Sequence, residues 1–125
     1  MSNKLLELLK LLSEKAWERI KDKLNEHPEY AKRTLLLKIK LAKGIGAFYL
    51  HVTPDGVKVL PTKPKTNATL VVSMPYSVFS GILKKQIDPD YAVSKGWITF
   101  ETKDWFYHYT ILREYLEGMI EAIGD

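Results

Sequence analysis

The side chains in this chain that could do chemistry are three histidines, four of its six serines and a spaced set of glutamates. His27 stands where a helix should end, His51 lies on an alternating stretch, and His108 sits in an aromatic run. None has a partner at a metal-ligand spacing such as His-x-x-x-His, and no Asp or Glu completes a motif around them. Ser73, Ser77, Ser80 and Ser94 lack the strand-to-helix elbow that exposes a nucleophilic serine. With no cysteine, thiolate nucleophiles, thiolate metal sites and disulfides are all excluded. Gly44-Ile45-Gly46 reads as a turn, and the glycine patterns that cradle dinucleotides or phosphates are absent. Glu114, Glu117 and Glu121 recur at helical spacing and read as a solvated helix face rather than a cation site, with Arg113 pairing to Glu117 one turn on. No constellation results. The expectation is therefore binding without catalysis, with no metal and no cofactor.

The chain of 125 residues is 46% hydrophobic and 27% charged, which suits one domain, residues 1–125, with an ample core and a soluble surface. No apolar run approaches the roughly 20 residues of a membrane span. The start of the chain lacks the pattern of a secretion signal, so a cytoplasmic protein is expected. The net charge of +4 is uneven: residues 1–66 carry 14 Lys/Arg against 7 Asp/Glu, and residues 67–125 carry 5 against 8. Such a basic half serves solubility first, and transient contact with an anionic membrane is a further use of it. Nucleic acid is not expected, because only Arg19, Arg33 and Arg113 are arginines and no basic–aromatic interleaving occurs.

Leu5, Leu9, Leu12, Ala16, Ile20 and Leu24 form a stripe of period 3.6, widened by Leu6 and Trp17, with Ser2 or Asn3 as cap and His27-Pro28 as stop. Strict heptads would place Arg19 and Lys23 on the seam, which disfavours a coiled coil. Three strands follow. Leu35, Leu37, Ile39 and Leu41 share one face of the first; Phe48, Leu50 and Val52 share one face of the second. Thr53-Pro54-Asp55-Gly56 turns the chain into Val57 and Val59. A proline-bearing connector over 61–67 leads to a strand, Thr69 to Met74, and a helix opened by Pro75. A short helix around Asp88 to Lys95 stops at Gly96 before a strand from Trp97 to Glu101. The last helix starts after Thr102 or Asp104, with Trp105, Tyr109, Leu112, Leu116, Met119 and Ile123 at helical spacing. Each strand has one apolar and one mixed face, the signature of an antiparallel sheet covered by helices on one side.

This order of elements resembles the sterol carrier protein type 2 family of lipid-binding domains over roughly residues 33–119. The resemblance rests on the strand-helix segment Leu70 to Leu83, on Gly81 near that helix's end, on Asp88-Pro89 before Ala92, and on Gly96 before the last strand. It implies a single α+β domain, a five-stranded, mainly antiparallel sheet with helices on one face, and between sheet and helices an apolar tunnel, closed by the final helix, that carries lipid, fatty acid or acyl-CoA. Carried over by position, its lining is Phe48, Leu50, Phe79, Leu83, Phe100, Phe106, Leu112, Leu116 and Met119. The run Trp105-Phe106-Tyr107-His108-Tyr109 departs from the pattern by its bulk, so Trp105, Tyr107 and Tyr109 are candidate gate residues. The end, Ile123-Gly124-Asp125, lacks the peroxisomal tripeptide of eukaryotic relatives, which points to a prokaryotic source.

A rival reading is an interaction module with a filled core. By alternation Tyr49, Val71 and Trp97 fall on the outer sheet face among Lys38, Lys40 and His51. Clustered, they would form a cation-rimmed aromatic patch suited to a homodimer or another protein partner.

Overall fold

A computed structural model describes residues 3–26, 35–42, 45–53, 55–65 and 67–124, with the side chains of Leu24 and Asn25 left aside. Ser2, the His27-Pro28 stop, Gly44 and Pro54 lie outside the described residues. The elements run α1 (Asn3–Glu26), β1 (Leu35–Ala42), β2 (Gly46–Thr53), β3 (Gly56–Leu60), β4 (Leu70–Pro75), α2 (Tyr76–Leu83), α3 (Pro89–Ser94), β5 (Thr99–Phe100) and α4 (Trp105–Gly124).

The strands form one sheet in the order β3-β2-β1-β4-β5. Three of the four pairings are antiparallel, and β1 pairs with β4 in parallel. β3 already runs in the direction of β1, and β4 runs the same way on the far side of β1, beginning beside Leu37, which makes that pair parallel. Thr69 fastens that pair, its N–H donating to the Leu36 carbonyl at 2.7 Å while its Oγ1 accepts from the Leu36 N–H at 3.1 Å.

Register puts the apolar alternates of neighbouring strands in rows, Val59–Leu50–Leu37–Leu70 and Phe48–Ile39–Val72–Phe100. All but Phe100 are buried, and they meet Leu9, Leu12, Ala16 and Ile20 of α1, the inner side of α2, and α4. The opposite face is not simply polar. Leu36 is fully buried there, and Tyr49 is only 7% exposed, with the Lys38 ammonium 5.6 Å from its ring centre.

Both short helices end in Schellman closures. In α3, Trp97 N–H donates to Ala92 O and Gly96 N–H to Val93 O, with Gly96 at φ +75°. In α2 the same bonds run from Gln86 to Gly81 O and from Lys85 to Ile82 O, but the left-handed position is Lys85 at φ +62°. A non-glycine residue there is strained, by about 1 kcal/mol. The α3 closure also shortens the last strand. Trp97 and Ile98 both bond back to Ala92, so β5 is Thr99–Phe100 instead of Trp97 to Glu101.

The helices α1 and α4 meet where Ala16 faces Gly118. A Cβ at Gly118 would lie 2.9 Å from Ala16 Cβ and 3.0 Å from its Cα. One helical turn further along α1, Arg19 donates from Nε to Glu114 Oε2 (3.2 Å), from Nη2 to Glu117 Oε2 (2.7 Å), and from Nη1 to Glu121. The glutamates expected to be a solvated face are therefore partly an interhelical clamp, and Glu114 is only 7% exposed. Burial alone would lower the Arg19 pKa, but the bonds to Glu114 and Glu121 outweigh it and hold it above its ordinary value.

In an unconstrained helix Gly→Ala is stabilising by about 1 kcal/mol. At Gly118 the added methyl meets Ala16 backbone, so Gly118→Ala is expected to lower stability by about 1–3 kcal/mol, read as a reduced denaturation midpoint. Ala16→Gly in the same chain should recover part of the loss; an undiminished midpoint for Gly118→Ala contradicts the close crossing.

Candidate ligand-binding groove

Between the first half of α1, the outer side of α2 and the end of α4 lies a cavity of about 320 Å³. Leu5, Leu8, Leu9 and Leu12 form its α1 wall and Ile123 its α4 wall. From α2 come Phe79 and Leu83 as apolar lining, with Tyr76, Ser80 and Lys84 beside them. Its size is near the lower end of small-molecule sites, about 300–1,000 Å³. Leu8, Tyr76 and Ile123 remain substantially exposed at its rim. Phe79 connects the groove to the core, its ring edge-on to Phe48 at 6.0 Å.

Of the residues expected to line a tunnel, only Phe79 and Leu83 face this cavity. Phe48, Leu50, Leu112, Leu116 and Met119 are fully buried in the core. Phe100 is half-buried among aromatics at the other end of α4. Phe106 is 73% exposed and Tyr107 72%, because helical periodicity turns them outward. Trp105 stacks on Phe100, 4.4 Å between ring centres and 5° between planes, and Tyr109 packs edge-on to Phe100 at 5.8 Å. The Tyr109 hydroxyl donates to Asp90 Oδ1 at 2.7 Å and Arg113 Nη1 donates to Asp90 Oδ2 at 3.2 Å, tying α4 to α3.

Tyr49 and Val71 are neighbours on the outer face through Lys38, with which both are in register. Trp97, outside the strand, instead packs edge-on to Tyr91 at 5.5 Å, and the Lys95 ammonium lies over the Tyr91 ring. His51 is half-buried on β2, with Thr53, Asp55, Val57 and Lys58 around a hollow at the β2–β3 turn. No group of three or more His, Asp or Glu placed to hold a metal occurs among the described residues. No described helix is long and apolar enough to cross a membrane.

Sequence reasoning missed two buried hydroxyls in this region. Tyr115, fully buried, and Ser13 are close across the α1–α4 contact without direct hydrogen-bond geometry. Burial holds the Tyr115 phenol above its ordinary value, and burial together with the Asp90 carboxylate does the same at Tyr109.

Five strands in this order, with α2 and α3 between the fourth and fifth and α1 and α4 over one face, define the sterol carrier protein type 2 fold. Among solved structures, UbiJ-SCP2, a ubiquinone synthesis protein, matches with a TM-score of 0.65 at 14% identity, covering 100% of this chain and 98% of that one. Sterol carrier protein 2 from Yarrowia lipolytica, in its apo form, matches at 0.56 with 9% identity over 92% and 88% of the two chains. Palmitated SCP2L2 from Aedes aegypti matches at 0.52 with 15% identity over 91% and 95%. No family model and no curated protein matches the sequence.

A phenol ionises at about pH 10 in an unfolded chain. A value raised in the folded state gives stability that is complete below pH 10 and is lost as the pH climbs toward the folded value. Tyr109→Phe should therefore be less stable than wild type at pH 8, where the Asp90 bond is missing, and should lose less stability between pH 10 and 11. Urea midpoints at these pH values check this; a gap that stays constant with pH contradicts it.

Proposed function

We propose that the protein binds a lipid or fatty acyl chain in the groove between α1, α2 and the end of α4, and that it does so without catalysis. The observation that carries this reading is the apolar cavity itself, opening to the surface on a fold that, in a solved relative, is palmitated. Burying a chain against Leu5, Leu8, Leu9, Leu12, Phe79 and Leu83 releases about 0.8 kcal/mol for each methylene removed from water. Micromolar binding needs a net of about 8 kcal/mol, so with an association cost of at least about 4 kcal/mol the tail must bury about fifteen methylenes.

In this reading α4 closes the site through Ile123. Phe48, Leu50, Leu112, Leu116 and Met119 form the layer beneath Phe79, reached by a longer chain only if α4 shifts. The cluster of Phe100, Trp105 and Tyr109 at the far end of α4, with Phe106 and Tyr107 outside it, is the proposed gate controlling that shift. A free fatty acid or the acyl tail of an acyl-CoA is the proposed occupant of the groove, and the exposed rim suits a brief contact with a lipid surface. The absence of a catalytic constellation in the sequence is the argument against an enzyme.

Leu83→Trp places a larger ring in the groove without touching the α1–α4 crossing. It is expected to weaken binding of a fluorescent fatty acid about tenfold while leaving the far-ultraviolet circular dichroism unchanged. Unaltered affinity would remove the groove as the binding site.

A second reading, self-association, is favoured by the exposed Tyr91–Trp97 pair and by Phe106 and Tyr107. Under it, Trp97→Asp converts a dimer to a monomer in light scattering. Under the carrier reading, wild type and variant have the same mass.

A further inference from the structure

We propose that Lys84 makes the groove selective for single-chain anionic amphiphiles, by pairing with the head group while the tail lies on the leucines of α1. The proposal rests on the lipid-binding reading and adds the sign of the head group and the residue that selects it.

The polar and apolar parts of the groove come from different elements. Four leucines of α1 and Ile123 of α4 supply walls with no side-chain polar atom. Every polar lining residue belongs to α2 or its cap: Tyr76, Ser80 and Lys84. They are spaced four residues apart, which aligns them along one side of a helix. The apolar lining of α2, Phe79 and Leu83, runs parallel to them one residue behind. A ligand is thus offered a greasy trough with one polar edge, and that edge ends in a cation.

Lys84 is the one charged residue in the lining among the described residues, and it has no ion pair among them. Lys21 pairs with Glu18 at 2.6 Å and Lys40 with Glu101 at 2.6 Å, whereas Lys58, Lys63, Lys85 and Lys103, like Lys84, have no ion pair among the described residues; what sets Lys84 apart is its place in this lining. The Lys84 backbone is fixed by its N–H donating to Ser80 O and by the Schellman bonds just beyond it. The left-handed turn at Lys85 takes the chain away, and Lys85 is not part of the lining. A carboxylate, sulfate or phosphate head at this edge gains a charge-assisted bond to the ammonium, with the Ser80 hydroxyl within the same row. An uncharged head gains only hydroxyl contacts, and a cationic head is repelled.

A lysine at a helix C-terminus also complements the macrodipole. That role predicts a small stability effect and no ligand preference, so head-group selectivity separates the two.

The test compares hexadecanoate, hexadecanol and hexadecylammonium, which share one tail, by displacement of a fluorescent apolar probe at low ionic strength and below their aggregation concentrations. The expected order in wild type is acid about tenfold tighter than alcohol, with amine weakest, and a preference that shrinks as salt screens the pair. Lys84→Glu should reverse the acid–amine order, whereas Lys85→Glu should leave it intact; circular dichroism checks that both variants are folded. Equal binding of the three ligands, or a preference for acid that survives Lys84→Glu, overturns the inference and leaves the lipid reading standing. If none of the three displaces the probe and the probe itself fails to bind, the lipid reading falls and this inference falls with it.

Discussion

The approach of Ala16 to Gly118 is the constraint on which the arrangement of the helices depends. With a methyl on one side and no side chain on the other, α1 and α4 come nearly to backbone contact. Arg19 lies one turn beyond Ala16, while Glu114 and Glu121 lie one turn to either side of Gly118. The close crossing therefore brings one guanidinium within reach of three carboxylates. In the other direction along α1, Leu12, Leu9, Leu8 and Leu5 form one wall of the groove, with α2 and Ile123 of α4 supplying the others.

Much of the fold was legible because burial on one face imposes period. The strand alternation over Leu35–Leu41 and Phe48–Val52 and the stripe Leu9, Leu12, Ala16, Ile20 all point inward as read. Asp88 caps α3, accepting from Tyr91 N–H at 3.1 Å, and Gly96 ends it as its freedom at positive φ permits. α4 was only half legible. It packs against both the sheet and α1, so its buried surface is wider than one stripe and includes Ile111, Tyr115, Gly118 and Ala122. The periodicity of Leu112, Leu116 and Met119 gave one edge of that surface and placed Ile123 inside, whereas Ile123 is exposed at the groove.

What the sequence could not supply was pairing between distant segments. Arg19 and Glu114 are 95 residues apart, and nothing local marks either as a partner. The α2 stop at Lys85 was hidden for a different reason, since the position is normally glycine and here a lysine carries the strain. Trp97 looked like a strand residue because its neighbours alternate, but the closure of α3 claims its N–H first. The resemblance implied a binding function among helices over a sheet. It could not say that a cavity opens beside α2, where the lining depends on three elements meeting.

The central claim is that an apolar chain occupies that cavity. Native mass spectrometry of protein purified without detergent tests this most directly. The expected spectrum shows a fraction of the protein carrying a lipid-sized adduct, and added fatty acid converts the remainder one to one. Protein that stays at its bare mass, with or without added fatty acid, would contradict the central claim.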